Sequence, residues 1–254
     1  MSFNFLLFFS LFARLSALFL LSPLFSSKTL PAALKLGFTL ITAILLYFPY
    51  VSSLPQQSVT WPLFVLHLIK EGCIGYLLGF FFALLIESAR LGAQMIATLS
   101  GFSATELVNP NVSFPSPVLG RFFVIAVLGL FVVGDFHHLL LYLLKDTFVL
   151  APISFYPFNP LTLHSVIEGT TLLFQHALDY AFIPFVALTL VLIGFALFTK
   201  LFPHVPVFFI APPLQILIAL LVLSIALCSF EAVFNKSFLQ IKELSMELLH
   251  CCKP

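Results

Sequence analysis

Long apolar runs separated by proline-bearing breaks set the pattern of this chain. Continuous hydrophobic stretches fall at residues 3–21, 32–48, 63–86, 118–144, 183–198 and 207–230, with a weaker helical pattern over 163–178. Runs such as 214–227 are continuous rather than alternating, with only Gln215 and Ser224 among apolar residues, which is the pattern of membrane helices and not of barrel strands. A helix needs about 20 apolar residues to cross the hydrocarbon core, and lipid cannot satisfy an open backbone. The pattern predicts an all-α, polytopic membrane protein whose roughly six hydrophobic segments are arranged as helical hairpins. Proline disfavours helix at the residue before it, so Pro23, Pro31, Pro49, Pro55, Pro110, Pro117, Pro152, Pro160, Pro203 and Pro206 mark expected boundaries. Past Asn235, Phe238, Ile241, Leu244 and Leu248 recur at helical spacing, so the tail reads as a short amphipathic helix. No sequence repeat and no separate soluble domain stands out, and residues 1–254 read as a single membrane domain.

Composition agrees. Only 8% of the residues are charged and 61% are hydrophobic, against roughly 25% charged in soluble domains. A net charge of +1 creates no large field for nucleic acid. The first run lacks a basic leader and carries Arg14 inside it, so it reads as a retained helix rather than a signal peptide. Cys73 and Cys228 lie in apolar runs and read as packing residues. Cys251 and Cys252 are adjacent, and the ending they share with Lys253 and Pro254 is not a prenylation box. Zinc spacing, a HExxH pair and a glycine-rich phosphate loop are all missing from the sequence, so neither metal nor cofactor is expected.

Ionisable residues inside membrane segments are costly, which makes Arg14, Glu71, Glu87, Asp135, Asp146 and Asp179 candidates for either function or mutual pairing. Glu87 and Arg90 stand three apart and suit a local pair. Glu71, Gly75, Gly79 and Ala83 recur every four residues as a stripe of small side chains headed by a carboxylate. Such a stripe lets helix backbones approach closely, against a helix of this chain or of a partner. Gly134 and Asp135 suggest a helix break. His137 and His138 follow it, and neighbours on a helix point about 100° apart, which disfavours a shared metal. The polar stretch 101–117, with Pro110, Pro115 and Pro117, interrupts the apolar chain near its middle. Two other readings compete. A small secondary transporter would want broken helices and midplane carboxylates, but also a repeat. An intramembrane serine protease would use Ser103 with His137, His138 or His176, a constellation whose Gly-x-Ser is common by chance.

Several short segments, in order and spacing, resemble one family. These are Phe12, Ala13, Arg14 with Ser22, Pro23 and Pro31; Lys70, Glu71, Gly75 and Gly79; Gln94, Gly101, Phe102, Ser103, Asn109 and Pro110; Gly134, Asp135, His137 and His138 with Asp146, Thr147, Phe148 and Pro152; and Val207 to Pro213. Together they are similar to the FliR/SctT family, the export-gate subunit of bacterial flagellar and virulence type III secretion systems. Pro206 stands where the family usually has asparagine, and Ala211 and Ala219 lie near positions where it has glycine.

The resemblance implies a non-enzymatic subunit in the bacterial inner membrane that resembles a fusion of its two partner subunits. Residues 1–160 would be FliP/SctR-like, and 161–254 a FliQ/SctS-like hairpin and tail. One copy would join several copies of FliP/SctR and FliQ/SctS around a channel for unfolded export substrates, with FlhB/SctU on the cytosolic side and lipid around the whole. The resemblance further places the central loop in the pore as a plug. Gly101, Phe102, Leu107, Val108, Phe114 and Pro115 would belong to that plug: Phe102, Leu107, Val108 and Phe114 would seal it, since a hydrophobic constriction gates by excluding water, and Gly101 and the prolines would limit regular helix so that the loop moves as a unit. Glu71, Gly75, Gly79 and Ala83 would serve packing or gating, with Glu71 paired across an interface or facing the lumen. Arg14, Asp135, His138 and Asp146 are the remaining polar intramembrane candidates.

Overall fold

The structure, a computed structural model, describes residues 3–22, 31–51, 61–101, 118–150, 160–204 and 207–251. Every regular element among them is a helix: α1 (Phe3–Leu21), α2 (Ala32–Val51), α3 (Trp61–Leu99), α4 (Val118–Val133), α5 (Phe136–Leu150), α6 (Pro160–Leu201) and α7 (Val207–Cys251). Three of these, α3, α6 and α7, are long and apolar enough to cross a membrane, and α4 with α5 make a fourth if the broken pair counts as one span. The all-α polytopic reading holds.

The segmentation differs from the sequence reading in instructive ways. The segment expected at 63–86 runs on to Leu99. Glu87 and Arg90 do not stop it, because they pair with each other one turn apart on its surface. The patterns at 163–178 and 183–198 are one helix, α6, which carries Pro184 in its interior. The stretch 207–230 and the amphipathic tail are likewise one helix, α7, which passes through Pro212 and Pro213. Proline removes a backbone donor and clashes with the preceding turn. Membrane helices nonetheless accept it, because local adjustments and neighbouring groups satisfy the freed carbonyl. The stretch 118–144 divides at Gly134 and Asp135, where a break was expected, and Asp135 adopts a left-handed φ of 56°.

The chain forms two compact units. The first comprises Met1–Leu84, Asp135–Gly169 and Ile241–Pro254; the second comprises Leu85–Gly134 and Thr170–Gln240. In the first unit, α1 buries Leu7, Ser10, Leu11, Arg14, Leu15, Leu18 and Phe19. That spacing of three and four is one face of a helix. Against this face lie α2, through the edge-on Phe19–Phe38 pair at 5.2 Å, and the first part of α3. The α1–α3 approach depends on two members of the small-residue stripe. A β-carbon on Gly75 would overlap the backbone of Arg14, and one on Gly79 would stand 2.8 Å from the Leu18 carbonyl oxygen. The partner of the stripe is thus this chain's own first helix at Gly75 and Gly79. Ala83 is half-buried.

In the second unit, Gly92 on α3 admits α6 to similar closeness, with the Ala177 carbonyl 2.8 Å from where a β-carbon would sit. Aromatic pairs join α7 to its neighbours: Phe123–Phe230 at 5.3 Å and Phe131–Phe238 at 6.2 Å from α4, and Tyr180–Phe230 at 4.9 Å from α6. The most apolar window of α3 is 61% buried within the protein, whereas those of α6 and α7 are 17% and 22% buried. So α3 is a core helix, and α6 and α7 present Leu190, Leu197, Leu217, Leu221 and Ile225 outward.

Gly72 and Gly75 separate packing from helix propensity. Gly75→Ala should lower the thermal midpoint of the detergent-solubilised protein by several degrees, since a backbone must move to admit the methyl. A β-carbon on Gly72 meets nothing within 4 Å. Gly72→Ala should leave the midpoint unchanged or raise it, alanine being about 1 kcal/mol better in a helix.

Candidate functional site

The most concentrated chemistry in the first unit surrounds Arg14. Its position on α1, in register with Leu7, Leu11 and Leu18, turns the guanidinium into the core, where it is 1% exposed. Such a charge is tolerated only if its donors are answered. Nε donates to Glu71 Oε2 at 2.6 Å, and Nη2 lies 2.6 Å from the same oxygen. Nη1 donates to the Thr147 carbonyl at 3.1 Å and reaches the Thr147 hydroxyl at 3.4 Å. That hydroxyl spends its own proton on the Leu144 carbonyl at 2.7 Å, which leaves its lone pair for the arginine. The Phe148 ring lies under the guanidinium, 4.5 Å from its carbon, within the range of a cation–π contact.

Each partner is delivered by its helix. Glu71 sits one turn before Gly75, so the glycine that lets α3 touch the Arg14 backbone also brings the carboxylate to the Arg14 side chain. Thr147 and Phe148 follow Leu143 and Leu144 on the buried face of α5. Three helices distant in sequence are therefore tied at one cation. Arginine suits this role because its planar fork serves several acceptors at once. Glu71, 2% exposed, pairs within the chain.

The other sequence candidates lie elsewhere. Asp146, half-buried, precedes Thr147 but is not among the groups that hold Arg14. Asp135 and His138 are exposed at the start of α5, with His138 Nδ1 3.5 Å from Asp135 Oδ1. Of the plug residues only Gly101 is described. It closes α3 with a φ of 76°, a conformation glycine adopts freely. A β-carbon there would come within 3.3 Å of Gln215 Oε1 and 3.7 Å of Pro212 Cα. The exit of α3 is thus seated on the double-proline turn of α7. Phe102, Leu107, Val108, Phe114 and Pro115 lie outside the described residues, as does Ser103.

Two features escaped the sequence reading. Thr147 and Phe148 stand in a segment that resembles the family, but nothing in the sequence marked them as partners of Arg14, because a threonine carbonyl and a phenylalanine ring are unremarkable in an apolar run. In the second unit Lys236 Nζ donates to Asp179 Oδ2 at 2.8 Å, beside a cavity of about 250 Å³ that is also lined by Gln175, His176 and Gln240. The buried His176 has no hydrogen-bond partner at either ring nitrogen. Asp179 was a candidate, but Lys236 stood in the amphipathic tail and offered no hint of its partner.

Comparison with known proteins adds the missing context. Residues 5–241 match the model of a family described as bacterial export proteins, family 1. The chain is 29% identical to the flagellar biosynthetic protein FliR of Escherichia coli (strain K12) over 244 residues, which covers 92% of this chain and 91% of that protein. It is 24% identical to the FliR of Caulobacter vibrioides over 242 residues, covering 92% and 93%. Against the FliR of Bacillus subtilis (strain 168) it is 28% identical over 130 residues, covering 51% and 49%.

Breaking a buried ion pair from one side strands a charge and costs about 3–5 kcal/mol, whereas replacing both partners with apolar groups is often neutral. Glu71→Gln should therefore sharply reduce the abundance and thermal stability of the chain. The double variant Arg14→Met/Glu71→Leu should recover most of both. Thermal unfolding in detergent decides; a Glu71→Gln protein as stable as its parent would show that the pair carries no such role.

Proposed function

Because this chain belongs to the bacterial export proteins, family 1, the family of FliR, we propose that it is a subunit of the type III protein export gate. It helps form and plug the channel that passes unfolded substrates across the bacterial inner membrane. The observation that carries this reading is the family match along residues 5–241. The long apolar helices make it a membrane protein. Its role is architectural rather than enzymatic.

The partners follow from the same reading. FliP/SctR and FliQ/SctS subunits surround the chain and FlhB/SctU meets it on the cytosolic side, while lipid covers what remains. Residues 1–160 act as the FliP/SctR-like part and 161–254 as the FliQ/SctS-like hairpin. The outward leucines and isoleucine of α6 and α7 suit this assignment, since exposed apolar faces of this extent call for lipid or neighbouring helices. The relatives named above are flagellar proteins, which favours a flagellar apparatus over a virulence one.

The plug reading assigns Gly101 to the base of the central loop, Phe102, Leu107, Val108 and Phe114 to the seal, and Pro115 to the residues that keep the loop from forming regular helix. A glycine in a left-handed conformation at a helix end gives a short pivot. Loop motion above it needs no repacking of α3. The apolar side chains close a narrow path to ions by dewetting it. Within the first unit the Arg14 cluster keeps the helices fixed, and Gly75, Gly79 and Ala83 serve close packing of α3.

Deleting residues 103–115 should leave the gate assembled and make the membrane permeable to ions and small solutes. Growth sensitivity to external small molecules, together with co-purification of the FliP and FliQ subunits, reads both outcomes. Loss of assembly without any leak would contradict the plug role.

A further inference from the structure

Between α4 and α5 the chain leaves helical geometry for two residues only, Gly134 and Asp135. Asp135 is the single non-glycine residue with positive φ among the described residues. Aspartate is one of the few side chains that enters this region with tolerable cost. Its carbonyl accepts the His138 N–H at 3.0 Å, so the first turn of α5 closes back over it. Three side-chain donors converge as a result. Asp135 Oδ1 lies 3.5 Å from His138 Nδ1 and 4.0 Å from His137 Nε2. The two imidazole centroids are 4.2 Å apart, and the three ligand atoms lie within 4.8 Å of one another.

The spacing along a helix would send the two rings about 100° apart. They meet here because they use different reaches: His137 extends its far nitrogen, His138 its near one, toward the oxygen of the residue that starts the turn.

The cluster is not a closed hydrogen-bond network. Separations of 3.5 and 4.0 Å are too long for hydrogen bonds, so the three groups are gathered without satisfying one another. Capping the start of α5 accounts for Asp135 alone; it gives no reason for two imidazole nitrogens to face the same oxygen. His137 faces the Asp135 carboxylate through Nε2, its Nδ1 being buried within the protein. The distances suit a metal. With bonds of about 2.1 Å to nitrogen and oxygen at tetrahedral angles, ligand atoms stand roughly 3.4 Å apart. The ligand atoms lie within 4.8 Å of one another, so binding draws them together by turning the half-buried His137 ring. Two imidazoles and one carboxylate favour zinc, nickel, cobalt or copper over magnesium or calcium, which prefer oxygen throughout. The Asp135 carboxylate is 75% exposed, so the remaining coordination positions open to water.

We propose that Asp135, His137 and His138 form a three-ligand binding site for a divalent transition metal of the zinc class at the start of α5. The bound ion clamps the first turn of that helix in its left-handed entry.

The full chain, purified in detergent without a histidine tag and stripped with a chelator, is titrated with Co2+ and followed by its visible ligand-field bands. One Co2+ per chain should bind saturably and be displaced by Zn2+. Asp135→Asn and His138→Gln should each weaken binding by more than the roughly 10–100-fold that loss of an outer-shell partner costs. His164→Gln and His204→Gln should bind as the parent does, and circular dichroism should show unchanged helix content in all four. Absence of a saturable band up to millimolar Co2+ in the parent would overturn the site. So would a band that survives Asp135→Asn and His138→Gln together.

Discussion

A guanidinium inside an apolar helical unit is the constraint on which the first unit depends. Arg14 has no water to fall back on, so its donors must find acceptors, and those acceptors come from α3 and α5. Hydrophobic burial alone is non-directional and would let α1 slide or rotate against its neighbours. A planar cation that meets a carboxylate, a carbonyl, a hydroxyl and a ring admits far fewer arrangements. Its net contribution to stability is modest, since desolvation offsets much of the attraction. Its contribution to specificity is larger, because any other register strands a charge.

Close backbone approach is the second half of the same device. Gly75 allows contact with the Arg14 main chain in the place where Glu71, one turn earlier, meets the Arg14 side chain. A larger residue at Gly75 would lift α3 away and stretch the pair. In the second unit Gly92 plays the corresponding steric part against α6, while the polar tie there is the more exposed Asp179–Lys236 pair. Hydrocarbon gives helices little reason to associate beyond packing and polar contacts. Small residues beside a charge pair supply both.

Much of this was written in local pattern. The α1 stripe of Leu7, Leu11, Leu15 and Leu18 shows its buried face, and Arg14 falls on that face, so its burial is legible from spacing alone. The break at Gly134 and Asp135 is legible from residue type. Continuity through Pro184, Pro212 and Pro213 is not, because the rule that proline ends helices weakens where neighbouring groups can satisfy the freed carbonyl. The extension of α3 past residue 86 was hidden for a related reason: Glu87 and Arg90 look like a boundary until their mutual pairing is counted. Partners across long separations, such as Thr147 for Arg14 or Lys236 for Asp179, follow from tertiary placement and leave no periodic trace. For the central loop, only Gly101 and its seat against Pro212 and Gln215 lie among the described residues, so the plug rests on family membership.

An export gate must hold a fixed frame while one element moves to admit a polypeptide. The Arg14 cluster and the glycine contacts at Gly75 and Gly79 tie α1, α3 and α5 together in the first unit. The central requirement is that the chain acts as one subunit within a larger channel. Native mass spectrometry of the complex extracted from cells that also produce the FliP and FliQ subunits tests this most directly. One copy of this chain together with several copies of each partner is the predicted result. A chain that emerges alone, or only with itself, while FliP and FliQ assemble without it, would contradict the account.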